Sequence, residues 1–215
     1  MAARLGRLAG ERPVVLALPR GGVPVGYEIA RALGAPLDVI FVRKIGVPWQ
    51  PELALGAVVD GADPQMVIDE VLVRELRVRQ DYIRDECARQ LAEIERRRVL
   101  YHGNRTPVSV KGRTVIVVDD GIATGATMRA ALKGLQGAGA ARVVIATPVA
   151  AQDTLDRLEV EADEIVCLHV PEALMAIGMH YLDFTQVEDG EVIALLEEAH
   201  GWERGMPSDG AGSAP

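Results

Sequence analysis

Thr114-Val115-Ile116-Val117-Val118-Asp119-Asp120-Gly121-Ile122-Ala123-Thr124-Gly125-Ala126-Thr127 decides how this chain is read. A β-branched apolar run ends on two adjacent carboxylates. A turn of small residues and threonines follows, and Met128-Arg129-Ala130-Ala131-Leu132 opens a helix. The order is strand, loop, helix. The loop sets backbone N–H groups at a helix N-terminus, where unpaired donors and the helix dipole hold a phosphate. The acids just upstream can accept hydrogen bonds from sugar hydroxyls, so the pattern suits a ribose 5-phosphate. A plainer reading is a capped helix after a buried strand, with Thr124 as N-cap and the acids favouring the dipole. That reading accounts for Thr124 and one acid, and leaves the second acid without a purpose.

Outward from this unit, apolar strands alternate with helical stretches, which predicts an α/β domain with an open parallel sheet flanked by helices. Strands are expected at Val14–Leu18, Leu37–Val42, Leu53–Val59, Val115–Val118, Val143–Thr147 and Glu164–Cys167, with Gln65–Ile68 pairing beside the third. Helices are expected at Val25–Leu33 and Glu191–Ala199, and one long charged helix over Glu70–Leu100. Its arginines Arg74, Arg77, Arg79 and Arg84 read as a solvated face, or as cations that approach an anionic substrate when a lid closes.

Two further loops carry chemistry. Leu18-Pro19-Arg20-Gly21-Gly22-Val23-Pro24 follows the first strand: Arg20 offers a planar charged fork for phosphate oxygens, and the glycines allow close approach of backbone N–H groups. Val42-Arg43-Lys44-Ile45-Gly46-Val47-Pro48 sets two cations at the end of the second strand. If the strands are neighbours, these loops share the carboxyl end of the sheet, where open α/β sheets bind ligands.

Composition excludes several alternatives. The 215 residues can bury one substantial core, and 49% apolar with 25% charged residues is ordinary for a globular chain. Aromatics at 4% and a formal charge of −8 argue against a nucleic-acid or anionic-membrane partner. No apolar run reaches the ~20 residues of a bilayer span. No signal-type leader is evident, so a cytoplasmic protein is expected. Cys87 and Cys167 read as reduced thiols, and His169 and His180 as structural or surface histidines, since metal-ligand spacing is missing. Gly205 to Pro215 is expected to be a disordered tail. The fingerprints G-x-G-x-x-G, G-x-x-x-x-G-K-[ST] and G-x-S-x-G do not occur in the required places.

The run 114–127 resembles the 5-phosphoribosyl-1-diphosphate (PRPP) motif of the type I phosphoribosyltransferases. The segment from Val42 resembles a basic segment of the adenine enzymes of that family, and the whole chain looks most like predicted bacterial members with unassigned acceptors. The resemblance implies a domain over 1–204, with a core at about 13–168, a helical insertion at about 69–101 and an acceptor-selecting hood at about 169–200. It implies that Asp119 and Asp120 hold the ribose hydroxyls. Gly121, Ala123, Thr124, Gly125, Ala126 and Thr127 would hold the 5-phosphate. Arg20, Gly21, Gly22, Arg43 and Lys44 would hold the pyrophosphate, with Arg20 and the two aspartates catalytic. Tyr181 and Phe184 would stack on the acceptor base or serve as core anchors.

Mg²⁺ is implied, mainly through substrate oxygens and with Asp119 and Asp120 as the protein's candidate contacts. A homodimer, a base acceptor and a place in nucleotide metabolism follow from the same resemblance. Ala123 stands where 6-oxopurine enzymes carry an acidic residue proposed as general base, which weakens a hypoxanthine or guanine assignment. The competing reading is a non-catalytic PRPP- or nucleotide-binding regulator on the same fold.

Overall fold

The computed structural model describes residues 1–60, 64–103 and 105–205, so the expected tail beyond 205 lies outside the described residues. A short helix, α1 (Ala2–Leu5), precedes the sheet and buries Leu5. Five strands then form a parallel sheet: β1 (Val14–Ala17), β2 (Leu37–Val39), β6 (Thr114–Val118), β7 (Arg142–Val149) and β8 (Glu164–His169), in the order β2-β1-β6-β7-β8. From β1 the chain runs outward to β2 on one side, and from β6 outward to β7 and β8 on the other. The order therefore reverses at the β1/β6 junction, where such sheets form a ligand crevice.

Alternation along each strand builds a core on both faces. Val15, Ala17, Ile116, Val118, Val144 and Ala146 face one apolar cluster, and Val14, Leu16, Val115, Val117, Val143 and Ile145 face the other. Helices α2 (Gly22–Leu33) and α7 (Asp189–Gly205) belong to the first face, α5 (Ala126–Gly137) and α6 (Gln152–Leu158) to the second. Tyr27 of α2 donates to Glu198 Oε1 at 2.6 Å, tying the last helix to the first crossover helix.

Two expectations are corrected. The second strand does not run from Leu37 to Val42: β2 ends at Val39, and Val42–Val47 is β3 of a separate antiparallel sheet, β3-β4-β5, with β4 at Gln50–Val59 and β5 at Gln65–Ile68. Only Pro48 and Trp49 separate β3 from β4, a connection that closes an antiparallel hairpin but is far too short for a parallel crossover. The long helix is also broken, into α3 (Glu70–Glu75) and α4 (Gln80–His102). Asp69 caps α3 by accepting from the amides of Val71 and Leu72, and Arg77 takes a positive φ of 51° between the two helices. At the far end of α4, buried His102 Nε2 lies 3.2 Å from Asp38 of β2, whose carboxylate also accepts from the amides of Val39 and Val108.

Candidate active site

The β1 and β6 loops meet because their strands are paired, Ala17 beside Val118, and because Leu18 N donates to Val118 O at 2.8 Å. After Leu18 the chain turns through a cis Pro19–Arg20 peptide into α2, with Gly21 at the N-cap. The glycines allow a contact that no side chain would. A Cβ on Gly21 would stand 1.9 Å from Asp120 Oδ2, and one on Gly22 would stand 2.6 Å from Val118 O.

At the end of β6 the amide of Asp120 donates to Asp119 Oδ1 at 3.0 Å. Burial, and then the Asp120 carboxylate beside it, push the Asp119 carboxyl well above the usual carboxylate range. A second negative charge beside Asp120 in so buried a position is unfavourable, the kind of arrangement that functional sites often hold. Beyond it, α5 begins at Ala126 with Gly125 as N-cap at φ 74° and no side-chain capping bond. The plain capped-helix reading with Thr124 as N-cap is thereby corrected. Ala123, Thr124, Ala126 and Thr127 are exposed, and the first-turn amides of α5 have no intrahelical partner. The loop is braced from behind, since Thr154 Oγ1 donates to Ala123 O at 2.6 Å and Ile122 N to Val149 O at 2.9 Å.

Arg20, Gly21, Asp120, Tyr181 and Phe184 line a single cavity of about 680 Å³. Tyr181 donates its hydroxyl to Asp120 O at 2.5 Å. Its phenol is pushed up to about 12 by burial and then by the charges of Asp120 and Asp119. Its ring meets that of Phe184 at 5.0 Å and 46°. Asp119, Gly22, the 123–127 loop, Arg43 and Lys44 are not part of this wall. Asp119 and the loop follow directly along the chain from the cavity's edge.

Arg43 and Lys44 lie in β3, not at the carboxyl end of a strand of the parallel sheet as the sequence suggested. Arg43 Nη2 pairs with Glu93 of α4 at 2.9 Å. Hydrogen bonds from Arg96 and Arg97 pull that glutamate down to about 2.

The sequence reading missed the partners of Arg20. Its Nη1 is 3.9 Å from both Glu188 Oε2 and Asp189 Oδ1, and Asp189 in turn accepts a 2.5 Å hydrogen bond from buried Tyr101. Acids at the start of a final helix are visible in the sequence, but their meeting with a loop near the N-terminus is not. Among the described residues no group of three or more His, Cys, Asp or Glu is placed to hold a metal ion. His169 and His180 only bring their rings within 5.1 Å.

The family model for the phosphoribosyl transferase domain matches residues 66–181, the stretch holding β6, the acid pair and the loop before α5. This chain belongs to that family. A provisionally named phosphoribosyl transferase of Mycobacterium tuberculosis, present in strains H37Rv and CDC 1551, is 45% identical over 200 residues. The match covers 93% of this chain but only 45% of the relative, so the chain spans about half the length of that protein. The crystal structure of TT1426 from Thermus thermophilus is 46% identical, covers 92% of both chains and superposes with a TM-score of 0.82. Among the described residues no helix is long and apolar enough to cross a membrane.

Proposed function

We propose that this phosphoribosyl transferase domain moves the 5-phosphoribosyl group of PRPP to a nitrogen of an acceptor, a nucleobase in the first instance, and releases pyrophosphate. The bond from the anomeric carbon to the diphosphate oxygen breaks with its electron pair leaving on pyrophosphate. The acceptor nitrogen forms the new bond and gives up a proton. The observation that carries this reading is the contact between two loops at the carboxyl ends of adjacent parallel strands: Gly21 against Asp120, with Arg20 on one side and the exposed α5 N-terminus on the other.

Each part then has a physical task. Amides at the start of α5, with the Thr124 and Thr127 hydroxyls, hold the 5-phosphate by dipole and hydrogen bond. Asp119 and Asp120 accept from the ribose hydroxyls and stabilise positive charge developing on the sugar. The raised affinity of Asp119 for a proton means that it welcomes a donor or a cation once the substrate is present. Arg20 neutralises the departing pyrophosphate. The hard oxygen donors of the aspartate pair suit Mg²⁺ shared with substrate oxygens, and the ion would screen diphosphate charge. Too few protein ligands gather among the described residues for a site built by the protein alone.

Pyrophosphate release with PRPP, Mg²⁺ and a panel of bases tests the reading. Release with at least one base is expected, together with PRPP binding by calorimetry. Binding without release from any base would favour the regulator reading, and no binding would remove both.

A further inference from the structure

Resting on the transfer reading, we propose that the cavity selects its acceptor by charge: it takes an uncharged or protonated heterocycle bearing amino groups and turns away bases that carry a carboxylate. The hood and the first turn of α7 also line the cavity and add Asp183, Thr185, Gln186 and Glu191 to the aromatic pair. Among the described residues, the charged ones lining the cavity are thus one cation, Arg20, against three carboxylates, Asp120, Asp183 and Glu191. Arg20 also faces Glu188 and Asp189 at 3.9 Å each, and in the proposed reaction it serves the pyrophosphate. Among the described residues no further lining cation is left to answer an anionic acceptor, and sites for carboxylates ordinarily supply arginine or lysine.

What remains fits the opposite chemistry. Asp183 Oδ1 accepts from Thr185 N at 3.1 Å and Thr185 Oγ1 at 2.7 Å, so this carboxylate is held at the cavity wall by its own turn. Amino N–H groups of a ring are suitable donors to it and to Glu191. The Tyr181 and Phe184 rings offer the apolar surface that a flat heterocycle needs. Tyr181, kept protonated with its phenol up at about 12, adds no charge of its own.

Calorimetry on the whole chain tests this, with Mg²⁺ and pyrophosphate added so that Arg20 is occupied. Adenine and cytosine are titrated on one arm, orotate and nicotinate on the other. The amino-bearing bases are expected to bind at least about tenfold more tightly, the scale of one partly screened like-charge contact avoided. In an Asp183→Asn, Glu191→Gln double variant, checked for fold by circular dichroism, that ratio is expected to fall below about threefold. Glu191→Gln alone, on the helix, is expected to fall between the two. A carboxylated base binding as well as the amino-bearing ones overturns the proposal, as does failure of both classes to bind or a ratio that survives the double variant. A separate titration with PRPP reports on the transfer reading. Charge selection without PRPP binding would remove that reading and leave a cavity specific for amino-heterocycles.

Discussion

The two walls of the cavity are built in opposite ways. The floor is the end of a parallel sheet whose β1 and β6 residues are all buried, and its loops are clamped by backbone bonds and by glycines at which a Cβ would crowd Asp120 and Val118. The segment from Val170 to Glu188, in the stretch expected to form the hood at about 169–200, is mostly exposed, including Met175, Met179, Leu182 and Phe184. It meets the floor through the Tyr181 hydroxyl on Asp120 O, and Ile177 stands over Gly121. On the proposed reading the floor binds the phosphoribosyl donor, whose geometry is always the same. The hood binds the acceptor, with a surface that can change without disturbing the core.

The sharpest break in this comparison comes from the floor. Asp119→Asn with Asp120→Asn is expected to lower pyrophosphate release at least about 10²-fold, the scale of losing charge stabilisation at a developing cation. Stability should move the other way for Asp119→Asn alone. The folded carboxyl has a raised proton affinity, so its contribution to stability is fully present below the ordinary carboxylate value of about 4 and is lost as pH rises through the folded value. Asparagine keeps an acceptor for the Asp120 amide and never ionises. The ligand-free variant should therefore melt no lower than the parent at neutral pH, with any advantage shrinking towards about pH 4. A variant that melts lower at every pH would show that the acid pair stabilises the fold.

Next in size is Gly21→Ala. Its methyl group would meet Asp120 Oδ2 at 1.9 Å, so either the Arg20 loop or the carboxylate has to shift. A cost of about 1–3 kcal/mol in denaturant unfolding is expected from the overpacking. A loss in kcat/KM of about tenfold or more should accompany it, because misplacing a positioning group is expensive in rate. Loss of activity with full stability would mean that Asp120 alone gave way.

This contrast also explains what the sequence disclosed. The β6 run, its two acids and the turn at Thr124-Gly125 are contiguous, so strand period, turn chemistry and helix start all point the same way within fourteen residues, 114–127. The pairing of β1 with β6 was inferable because two apolar runs each end on a glycine-rich, phosphate-suited loop. The pairing of β4 with β5 is legible, but the sequence hides that Val42–Val47 joins them in a separate sheet, although Val47-Pro48-Trp49-Gln50 leaves room only for a hairpin. The break between α3 and α4 hides because charge periodicity continues through it, and only Asp69 signals a helix start. The hood's polar lining was illegible: Asp183, Gln186 and Glu191 follow no period and gain meaning only from the cavity they face.

Asp189→Asn probes the seam between floor and hood. Asparagine can still accept from Tyr101, while the charge 3.9 Å from Arg20 is gone. A carboxylate there competes with pyrophosphate for the same guanidinium, so the variant should bind PRPP and pyrophosphate more tightly. The gain is expected to reach about fivefold at most, since a partly exposed pair is worth about 0–1 kcal/mol. KM for PRPP and product inhibition by pyrophosphate measure it. A rise in both constants would instead make Asp189 a residue that holds Arg20 in place.

The smallest effect is expected at Arg43→Ala, and it bears on the one basic segment that the fold moved away from the cavity. Arg43 sits in β3, partly exposed, and its Nη2 is engaged by Glu93 of α4, which also holds Arg96 and Arg97. Removing it costs one partly screened ion pair between the hairpin sheet and the helix, about 1 kcal/mol or less. Glu93 keeps its other two arginines, so its carboxylate is not left unpaired. Activity with PRPP should stay within about threefold of the parent, as expected of a charge acting through solvent rather than by contact. A rise in KM for PRPP far beyond that would mean that the antiparallel sheet closes over the diphosphate during turnover, and that the floor extends further along the chain than the cavity does.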